Sequence, residues 1–350
     1  MQVQLLLSRT FLRHTLVSCT FLLEKQAKLR IIGSMPHVIC AIISAPDGVS
    51  SAKDCLNSLS QMPVKPSVTL LISNAPLSEE KKNSFCRKYE NIGLLFPSCP
   101  KINSWRSAFE FAFRSKQVDY VWILDSRCRV SPTALETLLP SSSVPLESIS
   151  ISTLTDSRNP EQFSRPIFIE SGKRSFTPYK SCLYKKDVPT GRNDCYLYSA
   201  GWIGALYPRH AFLKLGTPEE SFTLNNNNDE YTWKAKLAGF RLILKPDSEI
   251  FHPSFSQLIH YNIAGRSFFY EHGISPELQY YKTRNWAWIQ RLRNPHKHIL
   301  RLIFCALYAI LTINAMLKCN ELSIKGIYNT FRALHNGFYG KLRPYSPRKN

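Results

Sequence analysis

The sequence predicts an α/β fold, a mostly parallel sheet with flanking helices, followed by a helical appendage. Three observations carry the prediction. Residues 118–124 (VDYVWIL) form a continuous run of apolar, aromatic and β-branched side chains of strand length, the pattern of a strand buried on both faces. That run ends in a carboxylate, Asp125, and leads through Ser131 and Pro132 into a helical pattern with Ala134, Leu135, Leu138 and Leu139 on one face. From His37 the chain alternates strand, helix and strand, which a right-handed crossover turns into parallel pairing.

Residues 1–34 hold short apolar stretches broken by Arg9, Arg13 and His14 and end in Lys25, Lys28 and Arg30. The stretches are too short to span a bilayer, and no small-residue cleavage site follows them. They are expected to be a basic extension, with the domain beginning at Met35. Residues 37–44 (HVICAIIS) are the first strand, Asp47 and Gly48 a turn, and 50–61 a helix with Ala52, Cys55, Leu56 and Leu59 inward. Residues 68–72 are the second strand, and Ser73 and Asn74 follow it. A helix over 79–89 and a short strand over 92–96 come next. Asn103 or Ser104 caps a helix over 105–115. Lys101 and Arg106 beside it are either phosphate contacts or solvated cations.

Beyond the central strand, 140–145 is a Ser/Pro loop and 148–155 a strand. Residues 156–193 are polar with scattered Pro and Gly, read as an excursion around an acceptor site or as a variable loop. In 197–215, small residues interrupt aromatics before a helix near Pro208; the glycines serve a close ligand approach or tight packing. Residues 222–239 (FTLNNNNDEYTWKAKLAG) open a helix on an Asn run, with Asp229 and Glu230 in the first turn, where carboxylates also favour the positive helix end. A strand over 240–244 leads on to His252. A helical segment then carries Tyr280, Tyr281, Arg284 and Asn285. Residues 300–317 are largely apolar and about one span long, but contain Arg301 and Asn314 and are flanked by basic residues. This reads as an interfacial or re-entrant helix on an anionic leaflet, or as a helix packed on the domain. The basic tail, 341–350, is expected to be disordered.

Bulk properties narrow the partners. The 350 residues suffice for one large domain with an appendage, and 44% hydrophobic content excludes wholesale disorder. The net charge of +20 favours anionic partners such as nucleotide diphosphates or an anionic membrane surface. No nucleic-acid-binding signature accompanies that charge, so nucleic acid is not expected. None of the ten cysteines forms a C-x-x-C pair; they read as small buried hydrophobes in a reducing compartment.

Together, the Trp-Ile-Leu-Asp strand, the Arg209/Phe212/Gly216 block, Glu230–Tyr231, His252 and Tyr280-Tyr281-x-x-Arg284-Asn285 resemble the GT-A glycosyltransferases. The resemblance is nearest to the inverting family 2 enzymes of the rhamnosyl- and galactofuranosyltransferase type, and it covers residues 37–335. It implies a Rossmann-like GT-A domain over 35–255 and a helical region over 256–340. The family's nucleotide contacts fall on Ser73 and Asn74, its Asp-x-Asp carboxylates on Asp125 and Arg127, and a phosphate or sugar contact on Arg284. Its metal ligands fall on Asp125 and His252, which would hold Mg²⁺ or Mn²⁺; the competing option is that Arg127 stabilises the departing diphosphate without metal. Its general-base Asp pair falls on Asn227 and Asn228, so the base role passes to Asp229 or, more weakly, Glu230. The sequence departs from the family at Ser73, at the missing glycines near Asn103, at Arg127 and at Asn227–Asn228. The resemblance implies a nucleotide-sugar donor and a glycan or lipid-linked acceptor. It further implies cell-surface polysaccharide synthesis and a place on the cytoplasmic face of the cell membrane. A catalytically inactive scaffold of the same fold is the alternative reading.

Overall fold

The structure is a computed structural model and describes residues 36–43, 52–73, 80, 83, 87–89, 92–95, 104–114, 117–140, 147–171, 179–189, 195–219, 222, 227–253, 258–263, 266–343 and 345. The basic extension, the helix expected over 79–89 and the end of the tail lie wholly or largely outside these residues.

Strand β1 (Val38–Ile43), helix α1 (Ala52–Ser60) and strand β2 (Val68–Ile72) form the expected crossover unit. The inward face of α1 is the one the sequence marks: Ala52, Cys55, Leu56 and Leu59. Strand β3 (Ile92–Leu95), helix α2 (Ser104–Arg114) and strand β4 (Tyr120–Asp125) follow. A two-residue strand β5 (Arg129–Val130), a short helix α3 (Ala134–Leu138) and strand β6 (Ser148–Asp156) complete the first half.

The described part of the polar stretch after β6 is mostly strand rather than loop. It holds β7 (Gln162–Glu170) and β8 (Tyr179–Tyr184), and β9 (Cys195–Ser199) follows it. Its alternation of buried and exposed positions is that of ribbons covered on one face, which composition alone disguises. Strand β10 (Ala205–Pro208), helix α4 (Arg209–Leu215), helix α5 (Asn227–Leu237) and the long strand β11 (Arg241–His252) close the domain.

Among the described residues the sheet has eleven strands, in the order β3-β2-β1-β4-β10-β6-β11-β9-β7-β8, with β5 pairing to β11. In its central part β3, β2, β1, β4, β6 and β11 run one way and only β10 runs against them. This is the mostly parallel α/β sheet the sequence predicts, with antiparallel ribbons added at one edge. Apolar clusters fill both faces. One gathers Ile39, Val121, Ile123, Phe109 and Tyr207; the other gathers Cys40, Cys55, Trp122 and Leu124. Burial raises the thiol pKa of Cys40, Cys55 and Cys128 well above the ordinary value, so these cysteines act as small core hydrophobes.

Several residues of the resemblance prove to be packing devices. Arg209 donates to the carbonyls of Val118 and Phe113, tying the β4 entry to the end of α2. Phe212 stacks on Phe113, and Gly216 ends α4 at φ +71°, where its carbonyl accepts from the Tyr231 hydroxyl. Gly204, at φ +82°, makes the turn into β10; a Cβ there would press on Ile250 and Ser152 at 3.0 Å.

The carboxyl-terminal region opens with an antiparallel hairpin that the sequence reading did not foresee, β12 (Leu258–Ile263) and β13 (Arg266–Glu271). Three helices follow: α6 (Pro276–Arg293), α7 (His298–Lys318) and α8 (Ile324–Phe338). Ser275 and Ser323 cap α6 and α8 by accepting from the backbone N–H three residues on. Gly337 of α8 lies where a Cβ would collide with the Arg284 carbonyl, so α6 and α8 meet almost backbone to backbone.

Candidate active site at the carboxyl edge of the sheet

The parallel register puts four strand ends on one line. Ile43 of β1 is opposite both Ile72 of β2 and Asp125 of β4, and Ile72 is opposite Leu95 of β3. Such an edge is where open α/β sheets bind ligands. Ser73, buried, follows β2 directly onto it. Asn74 lies outside the described residues.

After Asp125 the chain turns sharply: the Ser126 N–H donates to the Ile43 carbonyl at 2.9 Å, and the Cys128 N–H to the Asp125 carbonyl at 3.0 Å. The turn feeds β5, which pairs with the end of β11 through Val130–Ile250 and Arg129–Phe251. The next residue of β11 is His252. The two-residue strand thus brings His252 to Asp125, with Nε2 3.6 Å from Oδ1. His252 is fully buried, and its Nδ1 lies 2.5 Å from the Pro253 carbonyl. A carbonyl can only accept, so Nδ1 carries a proton and Nε2 is the nitrogen presented to Asp125.

Arg127 holds the same carboxylate in a fork. Its Nε donates to Oδ1 at 2.9 Å, its Nη2 to Oδ2 at 3.0 Å, and its backbone N–H also reaches Oδ1 at 2.9 Å. Burial alone would raise the Asp125 pKa. His252 beside the carboxylate, and the hydrogen bonds and charge of Arg127, overcome it and hold the carboxyl well below the usual carboxylate range.

The two carboxylates expected at the start of α5 separate. Glu230 turns inward, fully buried, where it ion-pairs with Lys234 one turn on and accepts from the Glu219 backbone. Burial raises its pKa despite that lysine. Asp229 instead lies in the field of two arginines. Burial pushes its pKa up, and the charges of Arg293 and then Arg165 pull it back in part.

Arg165 links the two halves of the site. It stands on β7, and burial lowers its pKa while the nearby charges of Asp229, Glu271 and Asp125 support its cationic form. Glu271 of β13 also pairs with Lys282 of α6, Nζ to Oε2 at 3.1 Å. One cation therefore lies within electrostatic reach of the β4 carboxylate, the α5 carboxylate and the appendage. Arg165, Glu271, Lys282 and Arg293 were not singled out by the sequence. Arg165 falls in the stretch read as a loop, and only its place in an alternating segment, QFSRPIFIE, marks it.

Arg284 is not brought to this edge. It is buried in α6, donating to Asn285 Oδ1 and to the Arg343 carbonyl at 2.9 Å, with its guanidinium 4.8 Å from the Tyr281 ring centre. Its visible work is to seat the tail on α6.

The expected metal pair, Asp125 and His252, does come together. However, no group of three or more His, Cys, Asp or Glu side chains suited to a metal ion occurs among the described residues. Both Asp125 oxygens are engaged by Arg127. As arranged, Asp125 and His252 alone do not make a Mg²⁺ or Mn²⁺ site, since the Arg127 guanidinium holds both carboxylate oxygens.

No family model matches the chain, and no curated protein matches it in sequence. The fold does have solved relatives. The chain is similar to a crystal structure of GalNAc-T7 with UDP, GalNAc and Mn²⁺, at TM-score 0.51 and 13% identity over 74% of this chain and 48% of that one. It therefore spans about half the length of that neighbour. It also aligns with residues 1–349 of S. aureus TarS at TM-score 0.48 and 10% identity, over 88% of this chain and 82% of that one. The chain has the GT-A glycosyltransferase fold.

Proposed function

We propose that the chain is a glycosyltransferase that moves a sugar from a nucleotide diphosphate donor to a glycan or lipid-linked acceptor by inverting direct displacement. The observation that carries this reading is the Asp125 carboxylate at the carboxyl edge of the parallel sheet, gripped by Arg127 and approached by His252 at 3.6 Å. The fold supports it, since the GalNAc-T7 structure of that fold holds UDP and GalNAc.

In this reading the donor diphosphate lies along the ends of β1, β2 and β4, beside Ser73, and Asn74 is a further proposed contact. Arg127 is the cation that faces it. Its fork on Asp125 fixes a planar cation at the end of the central strand, and diphosphate oxygens are acceptors that a guanidinium suits. Asp125 and His252 position Arg127. The acceptor hydroxyl attacks the anomeric carbon, giving its proton to Asp229; the bond from that carbon to the diphosphate oxygen breaks. Burial raises the Asp229 pKa toward the range where a general base works best near neutral pH. Arg127 stabilises the charge that develops on the departing diphosphate. The protein works at the cytoplasmic face of a membrane, in cell-surface polysaccharide synthesis. Its support there is α7, whose outward residues Ile299, Leu302, Ile303 and Ile310 are all exposed, with Lys297 and Lys318 at its ends.

A second reading, an inactive scaffold, is favoured by one observation: both oxygens of Asp125 are already occupied by a side chain of the same loop. Calorimetry with UDP-, GDP- and dTDP-sugars, with Mn²⁺ and with a chelator, separates the two. Donor binding that survives chelation and is lost in Arg127→Ala supports the transferase reading. Absence of binding to every donor by folded protein leaves the scaffold. Binding that strictly requires Mn²⁺ overturns the role given to Arg127 and returns Asp125 and His252 to a metal.

A further inference from the structure

A cavity of about 500 Å³ lies between the edge ribbons, α5, the β12–β13 hairpin, α6 and α7, within the size range of small-molecule sites. Its lining changes character along α7. At the start of that helix stand Arg293 and Lys297, beside Trp233. From there Leu300, Phe304, Leu307 and Leu311 recur at helical spacing and make an apolar wall about 16 Å long. Trp286 of α6 and Phe268 of β13 also line the cavity, and Tyr308 of α7 stacks on Trp286.

The cationic end is built for an acceptor group. The Arg293 guanidinium lies 5.1 Å from the Tyr198 ring centre and 5.0 Å from that of Trp233. Buried against those rings, Arg293 Nε and Trp233 Nε1 are two N–H donors without a hydrogen-bond partner among the described residues. One unsatisfied donor on a cation and another on the indole beside it are costly unless an anion or hydroxyl oxygen completes them. The same end adjoins the catalytic edge. Asp229 and Trp233 are four residues apart on α5 and share a face, and the Arg293 charge acts on Asp229. The apolar wall belongs to α7, whose outward stripe is itself exposed and apolar: Ile303 is 54% and Ile310 61% accessible.

We infer that this cavity holds the lipid-phosphate part of the acceptor: a single-chain lipid whose phosphate sits on Arg293 and Trp233 and whose chain lies along Leu300–Leu311 toward the membrane. This rests on the transferase reading and deepens it, choosing a lipid-linked acceptor over a free glycan. Charge complementarity identifies the headgroup, and the continuity of the apolar wall with the outward stripe of α7 identifies the tail.

The test is titration of the full chain in detergent with farnesyl phosphate, farnesol and inorganic phosphate, with UDP-sugar binding measured on the same sample. Farnesyl phosphate is expected to saturate one site at least tenfold more tightly than farnesol, with inorganic phosphate weaker still. Arg293→Gln should remove that tenfold preference while leaving farnesol unchanged, whereas Leu307→Gln should weaken both lipids. Equal affinity for farnesol and farnesyl phosphate overturns the inference and needs no variant. So does a chain-chain dimer that Leu307→Gln dissociates while no lipid binds, since a second copy then covers the wall. Donor binding without lipid binding defeats this inference alone; lipid binding without donor binding supports the site and defeats the transferase reading.

Discussion

Arg127 grips both oxygens of Asp125, Nε to Oδ1 at 2.9 Å and Nη2 to Oδ2 at 3.0 Å, with the Arg127 side chain 39% accessible. The pair brings no net charge to the site, yet it fixes a planar cation at the end of the central strand. In Arg127→Ala the fork is lost and Asp125 is left beside His252 without its cation. Donor affinity should fall roughly tenfold, because the arginine is partly screened by solvent. Mn²⁺ should now improve binding in the variant where it does little for the parent. Calorimetry with and without Mn²⁺ reads both effects, and a variant indifferent to Mn²⁺ would count against Asp125 and His252 as latent ligands.

Asp229 supplies the second prediction. Asp229→Asn removes the base but keeps the shape, so transfer should fall by roughly 10²- to 10⁴-fold while donor affinity holds. The pH profile gives the sign. Burial raises the Asp229 pKa, so the base is lost by protonation as pH falls through a value above the ordinary carboxylate range. Its contribution to stability follows the same sign: the folded state holds the proton more tightly, so the cost of burying the charge is present above that pKa and relieved below it. Arg165→Met withdraws a cation that pulls this pKa down. The acidic limb of kcat/KM should therefore move to higher pH, and Arg165→Lys should restore it. An unmoved limb in Arg165→Met would separate Arg165 from the base.

Arg284 tests the opposite case, a motif residue placed in the interior. With 1% exposure and hydrogen bonds to Asn285 and the Arg343 carbonyl, its removal leaves buried acceptors unpaired. Arg284→Ala should destabilise the protein by on the order of 3 kcal/mol. Urea unfolding reads the loss. Donor affinity of the folded fraction should be unchanged, and a selective loss of affinity would return Arg284 to the site.

These cases show where sequence reasoning reached and where it stopped. The α/β order, the central strand and the carboxylate at its end are written in local apolar pattern, and pattern is enough to place them. The approach of His252 to Asp125 was legible only through resemblance, because the device that produces it is the two-residue strand β5. Arg165 was hidden because a strand covered on one face, with Arg and Pro at its centre, has the composition of a loop. Arg284 and Glu230 sit in motifs the sequence displays, but a motif does not say which side of a helix faces the core.

The outward stripe of α7 makes the last prediction. The helix spans His298–Lys318 with a mean hydropathy of 2.0 over its most apolar window, the one helix among the described residues long and apolar enough to cross a membrane. One face nevertheless packs on the protein, burying Arg301, Cys305, Tyr308, Thr312 and Met316. A helix that spends one face on its own domain and bears exposed Ile299, Ile303 and Ile310 on another is suited to lie in an interface rather than to span it. Burying each isoleucine in the headgroup boundary contributes about 1.5–3 kcal/mol. Ile303→Glu with Ile310→Glu should therefore lower binding to phosphatidylglycerol vesicles at least tenfold. Both side chains are exposed, so the melting temperature should stay within about 2 °C of the parent. Vesicle co-sedimentation at two salt concentrations separates the apolar from the electrostatic part, since only attraction to the basic flanks weakens with salt. Undiminished binding by the double variant would show that charge alone holds the protein to lipid and would remove α7 as its anchor.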